Sequence, residues 1–90
     1  MTYDQIVVRN CMDKVINIAS KLIGCSAIPV SDAARMKKAL DESLLHTSGS
    51  TALRIRRIKI MVCSGTEPVT MINTVEPIIN ECKAVKEWIM

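Results

Sequence analysis

Apolar residues recur at helical spacing along residues 3–23, and this periodicity constrains the fold more than any other feature of the chain. A period of three to four residues predicts an amphipathic α-helix. Thr2, with Gln5 three residues later, predicts a capping box at the start of this helix, and Gly24 suits its end. The expected fold class is therefore mainly α. The periodic apolar positions are Ile6, Val7, Cys11, Val15, Ile18, Ala19, Leu22 and Ile23.

The apolar face of this first helix is wider than a surface helix requires, because it also includes Val8, Met12 and Ile16. A face this wide predicts that neighbours touch the helix from two sides. One of those neighbours is expected to be a partner chain, with Val8 and Met12 as its apolar anchors.

A second helix is predicted after the connector at residues 25–30, because Pro29 cannot continue a helix and biases the preceding residue toward extended geometry. Ser31 is the predicted N-cap, and this helix is expected to run to about His46. The cluster of small polar residues at 46–50 ends it. The residues expected to face inward are Ala33, Met36, Leu40 and Leu44.

Residues 51–63 fit two structures. As a strand, a bulge at Arg56-Arg57 places the apolar residues on one side and leaves the cations outward. As a helix, Ser50 caps the start, Gly65 lies just past the end, and one apolar stripe contains Ile55, Ile58 and Val62. The helix is preferred, because the available partner strands are short and each contains proline. A β-hairpin within residues 51–72 is the alternative.

The last segment offers two helix starts, Thr66 before Glu67-Pro68 and Thr74 before Pro77, so a break or kink is expected near Val75. Beyond it lies a strong apolar stripe. Ninety residues form one domain, residues 1–90, predicted to be a compact bundle of four or five short helices. The stripe consists of Ile78, Ile79, Cys82, Val85, Trp88 and Ile89.

Catalytic, metal and nucleotide chemistry find no support in the sequence. The four cysteines include no C-x-x-C pair, and His46 is the single histidine. The three glycines form no phosphate-binding loop. We therefore expect no enzyme, no cofactor and no small-molecule substrate. No signal peptide is evident and no apolar run reaches the ~20 residues of a membrane span, so a cytoplasmic location is expected.

Charge is distributed unevenly along the chain. Residues 35–59 hold seven basic and two acidic residues, a net charge of +5, whereas the remainder carries five basic and seven acidic residues, or −2. Within that range, Arg54, Arg56, Arg57 and Lys59 are the predicted basic contacts, either for acidic groups of a partner protein or for phosphates. The alternative is that they form a solvated face that keeps a small apolar protein soluble. The scarcity of aromatic residues, 2% of the chain, argues against nucleic acid.

The surplus of apolar residues supplies the leading functional hypothesis. A domain of this size buries only about 60% of the surface of its unfolded chain, yet 49% of the residues are apolar. We expect a small intracellular interaction protein, such as an adaptor, chaperone-like subunit or regulator, that buries helix faces against a partner or a second copy of itself. Its predicted apolar anchors are Trp88 and Ile89, or Val8 and Met12. A nucleic-acid-binding regulator using residues 54–59 is the alternative.

Overall fold

The computed structural model describes residues 2–25, 27–66 and 75–89 of the chain. Over these ranges it contains four α-helices and no strand. A mainly helical bundle is therefore confirmed, with four helices in the described ranges. The hairpin alternative is wrong, because the residues of its first arm are helical. The helices are α1 (Tyr3–Ser20), α2 (Val30–Leu44), α3 (Gly49–Gly65) and α4 (Val75–Trp88).

The start of α1 is capped as the sequence predicts. The backbone N–H of Gln5 donates to the Thr2 hydroxyl over 3.3 Å, and the backbone N–H of Thr2 donates to the Gln5 side-chain oxygen over 2.9 Å. These two bonds satisfy backbone donors that a helix start leaves without partners. At the other end, Gly24 adopts a φ of 89°, a left-handed conformation that L side chains rarely adopt. The helix itself ends at Ser20, three residues before the expected end, because the N–H groups of Lys21 and Leu22 bond to carbonyls only three residues back. Gly24 therefore belongs to the turn that follows α1.

The start of α2 differs from the prediction, because Pro29 and not Ser31 occupies the N-cap position. The Pro29 carbonyl accepts the first helical bond from the N–H of Ala33 over 2.9 Å. Proline supplies the extended backbone that an N-cap needs, although it offers no side-chain acceptor. Ser31 consequently lies inside the first turn. The helix ends at Leu44, two residues before the expected end.

The bounds of α3 and α4 correct further details. Ser48 is the N-cap of α3, two residues before the predicted Ser50. Val75 begins α4 at the expected break, with Pro77 in the first turn, where proline is tolerated. Thr66 ends α3 as its C-cap. The predicted helix start at Glu67-Pro68 and the predicted cap Thr74 lie outside the described residues.

The helices pack as a ring in which each contacts the two beside it. Helix α1 packs against α2 and α4, and α3 packs against the same two helices. Asp4 near the start of α1 bonds to His46 beyond the end of α2, and Arg54 near the start of α3 lies over Trp88 at the end of α4. These contacts show that α1 and α2 are antiparallel, and that α3 and α4 are antiparallel. The described chain is therefore an up-and-down four-helix bundle with extents of 40 × 21 × 20 Å.

The interior is filled by aliphatic side chains and methionines from all four helices. The predicted stripe of α3 is confirmed, since Ile55, Ile58 and Val62 are fully buried. The wide apolar face of α1 is covered on one flank by α2 and on the other by α4. The width of that face therefore has an explanation within the molecule. None of the helices in the described ranges has both the length and the apolarity of a membrane span.

Candidate functional site

The four predicted apolar anchors have different environments in the fold. Val8 and Met12 are 1% and 0% exposed, because α2 and α4 enclose the face of α1 that carries them. Both are core residues, so the expectation that they meet a partner is corrected. Ile89 is partly buried against the core. Trp88 is 58% exposed, and it is the predicted anchor that lies at the surface of the bundle.

A second apolar series runs along the solvent side of α3. Leu53 and Ile60 are 62% and 66% exposed, and they lie seven residues apart, or two helical turns, on the same side of the helix. Arg56 and Arg57 lie between them and are also exposed. We call these four residues the α3 outer face. The spacing of seven between Leu53 and Ile60 is the sequence signal for this face, and the stripe predicted for a helical α3 does not include either residue.

Trp88 lies beside the N-terminal end of the α3 outer face. The guanidinium carbon of Arg54 is 5.2 Å from the centre of the Trp88 ring, which is the geometry of a cation–π contact. Arg54 lies in the first half of α3, so the exposed indole ring is held beside that part of the helix.

The predicted basic contacts do not form one surface. Lys59 forms an ion pair with Asp41 of α2, with Nζ to Oδ1 at 2.5 Å, and Arg54 faces Trp88. Arg56 and Arg57 point to solvent and have no carboxylate partner within the described ranges. Arg54 and Lys59 therefore lie on opposite flanks of α3, with Arg56 and Arg57 on the outer face between them, because a helix distributes neighbouring residues around its axis.

Another cationic surface lies between α1 and α2, where the sequence analysis predicted none. A concave site of about 400 Å³ lies between these helices, and we call it the α1/α2 groove. Of its four cations, Lys14 comes from α1 and Lys21 from the turn after it, and both lie outside the basic range of residues 35–59. The lining residues are Lys14, Asn17, Ile18, Lys21, Arg35, Lys38 and Ala39.

The reactive side chains of the described residues occupy structural positions. His46 Nδ1 lies 2.9 Å from Asp4 Oδ1, and the ring of Tyr3 meets the imidazole edge-on at 5.8 Å between centroids. Burial raises the pKa of the Cys82 thiol to about 12, and the nearby Glu81 carboxylate adds to this rise. Burial likewise raises the pKa of Cys11. Both thiols are therefore protonated and poor nucleophiles at neutral pH.

No group of three or more His, Cys, Asp or Glu side chains that could hold a metal ion occurs in the part of the chain that the structure describes. Comparison of the chain with protein-family models, curated proteins and solved structures gives no significant match. Function is therefore inferred from the residues that the fold leaves exposed.

Proposed function

We propose that this chain is a small protein–protein interaction module that binds an amphipathic helix of a partner, or a second copy of itself, across the α3 outer face. An adaptor, a chaperone-like subunit and a regulator all fit this description. The observation that carries the proposal is the exposure of Leu53 and Ile60 on the solvent side of α3, where the chain's own core cannot cover them. Exposed apolar side chains two turns apart match the anchor spacing of helix-in-groove recognition.

The charge of this face indicates the chemistry of the partner. Arg56 and Arg57 lie between the two apolar anchors and carry no ion pair in the described structure. A partner helix with leucine-like residues on one side and Asp or Glu beside them would complement both features. Such charged rims increase association rates and specificity more than affinity.

Trp88 is the best-placed anchor at the edge of this face. Tryptophan and arginine are enriched among residues that dominate binding energy at interfaces. The Arg54 guanidinium already restrains the indole ring, so less conformational freedom is lost when a partner covers it. Ile89 supports the same end of α4 by packing against the core. Trp88 is therefore expected to contribute more to partner affinity than any other side chain of the surface.

The test is affinity capture from the native host with three forms of the chain. The double variant Leu53→Asp/Ile60→Asp places two carboxylates on the α3 outer face. Leu45→Asp is the control, because Leu45 is an exposed leucine just after the end of α2 and outside the α3 outer face. A specific protein retained by the wild-type chain and by Leu45→Asp, but lost with the double variant, supports the proposal. Equal retention by all three forms overturns it.

Light scattering on the purified chain distinguishes the two kinds of partner. A dimer that the double variant converts to a monomer identifies a second copy of this chain as the occupant. A nucleic-acid-binding regulator using residues 54–59 is the alternative function. It predicts nucleic-acid affinity that falls steeply with salt and drops in Arg56→Ala/Arg57→Ala, each lost phosphate contact reducing the salt slope by about one unit.

A further inference from the structure

The α1/α2 groove gathers four cations from two helices into one concave site. Lys14 and Lys21 come from α1 and the turn after it, and Arg35 and Lys38 come from α2. None of the described residues that line the groove is acidic. The groove borders α1, which has no packing contact with α3, so it is separate from the α3 outer face.

The three lysines that line the groove have no ion pair among the described residues, a property they share with Lys37 and Lys83 but not with Lys59 and Lys86. Lys59 is paired with Asp41, and Lys86 is paired with Asp13. In contrast, Lys14, Lys21 and Lys38 form no ion pair with any carboxylate of the described residues. Arg35 contacts Asp32 of its own helix at 3.4 Å, a long contact that leaves most of the guanidinium exposed. Like charges gathered without counter-charges repel one another, and a bound anion would remove that repulsion.

The positions of these cations fit a compact ligand. Lys14 and Lys21 are seven residues apart, which corresponds to roughly 10 Å along a helix. Asn17 lies between them and adds an amide donor to the same wall. Because α1 and α2 are antiparallel, Arg35 and Lys38 form the opposite wall. Ile18 and Ala39 complete the lining with apolar surface.

We propose that the α1/α2 groove binds a small phosphate-bearing anion with three or more negative charges, such as an oligophosphate. Its volume of about 400 Å³ lies in the range of small-molecule sites, roughly 300–1,000 Å³. Lysine acts as a point charge toward phosphate and needs no fixed geometry. The two aromatic residues, Tyr3 and Trp88, are not among the lining residues, so the groove offers no stacking platform for a base. The ligand is recognised by its charge.

The test is titration calorimetry with inorganic tripolyphosphate as the probe. Lys14→Gln/Lys38→Gln removes one cation from each wall. Arg56→Gln/Arg57→Gln is the matched control, because it removes the same net charge from the α3 outer face. The groove variant is expected to raise Kd about tenfold or more, since each charge contact contributes a few-fold in affinity. The control is expected to change Kd by less than about twofold.

Three results would overturn the proposal. The first is no tripolyphosphate binding by the wild-type chain at low salt. The second is an equal loss of affinity in the groove variant and the control, which indicates attraction to net charge alone. The third is displacement of tripolyphosphate by a single-stranded oligonucleotide at a phosphate concentration lower than that of the tripolyphosphate. Such displacement indicates a polymer ligand. Thermal unfolding without anion guards against misfolding, because the groove variant is expected to retain the wild-type Tm while losing the tripolyphosphate-dependent rise in Tm.

Discussion

Helices α1 and α3 both carry more apolar residues than one narrow stripe requires, yet they use the surplus differently. In α1, Val8, Met12 and their neighbours form one continuous arc, and α2 and α4 cover it from both flanks. In α3, the buried stripe and the exposed pair Leu53 and Ile60 lie on opposite sides of the helix. Each helix has two packing neighbours. Continuity of the apolar arc, and not its size, therefore decides whether the bundle can bury it.

The largest expected effect that tests this contrast is on stability. Met12→Ala removes a fully buried side chain from α1 and is expected to lower the free energy of unfolding by about 2–5 kcal/mol. Ile60→Ala, on the solvent side of α3, is the matched variant and is expected to change it by less than about 0.5 kcal/mol. Urea unfolding followed by circular dichroism measures both. Comparable losses in the two variants would show that the surplus of α3 is buried too, for instance in a dimer.

A smaller expected effect is on the pH dependence of the free energy of unfolding, which distinguishes the buried Cys82 from the exposed Cys63. The pKa of Cys82 is raised from 9.0 to about 12 in the fold, so above pH 9 only the unfolded chain readily ionises this thiol. The contribution of this thiol to the free energy of unfolding is fully present below pH 9. It falls as pH rises toward 12, by up to roughly 1.4 kcal/mol per pH unit. Cys82→Ala is expected to reduce this slope and to leave the part that comes from Cys11, whose pKa is also raised by burial. Cys63→Ala is the control and keeps it, because Cys63 is exposed. Urea unfolding at pH 8 to 11 checks the sign, and an unchanged slope in Cys82→Ala would contradict it.

The smallest expected effect compares the starts of the two helices. Thr2→Ala removes the capping box of α1 and is expected to cost about 1 kcal/mol of unfolding free energy. Ser48 caps α3 without a side-chain hydrogen bond, so Ser48→Ala is expected to cost only a few tenths of a kcal/mol. Thermal unfolding of the two variants gives the difference. A larger loss in Ser48→Ala would reverse this ranking.

Sequence reasoning succeeded where structure is determined locally. The capping box at Thr2 and the inward stripe of α3 follow from spacing and backbone chemistry, and the structure contains both. The end of α1 was placed too late, because Gly24 lies in the turn that follows the helix and not at its end. The strand alternative for α3 arose because apolar residues on both sides of a helix also give a near-alternating pattern. Ser31 was misplaced as a cap because Pro29 already supplied the required backbone geometry.

The surfaces were harder to predict, because they depend on which helices become neighbours. Val8 and Met12 were assigned to a partner because the sequence does not reveal that two helices of the same chain would cover them. The basic segment was defined by its place in the sequence, but a helix turns Arg54 and Lys59 to different flanks. Lys14 was missed for the converse reason, since the cations across the groove from it come from a different helix.

The Arg54–Trp88 contact has a practical consequence. Trp88 is the one tryptophan in the chain and is more than half exposed. Its fluorescence therefore reports on the end of the bundle beside Leu53 without an added dye. A partner chain that covers Trp88 is expected to shift the indole emission to shorter wavelength. An anion bound in the α1/α2 groove is expected to leave the spectrum unchanged. The indole emission is thus expected to respond to binding at one of the two surfaces and to be insensitive to binding at the other.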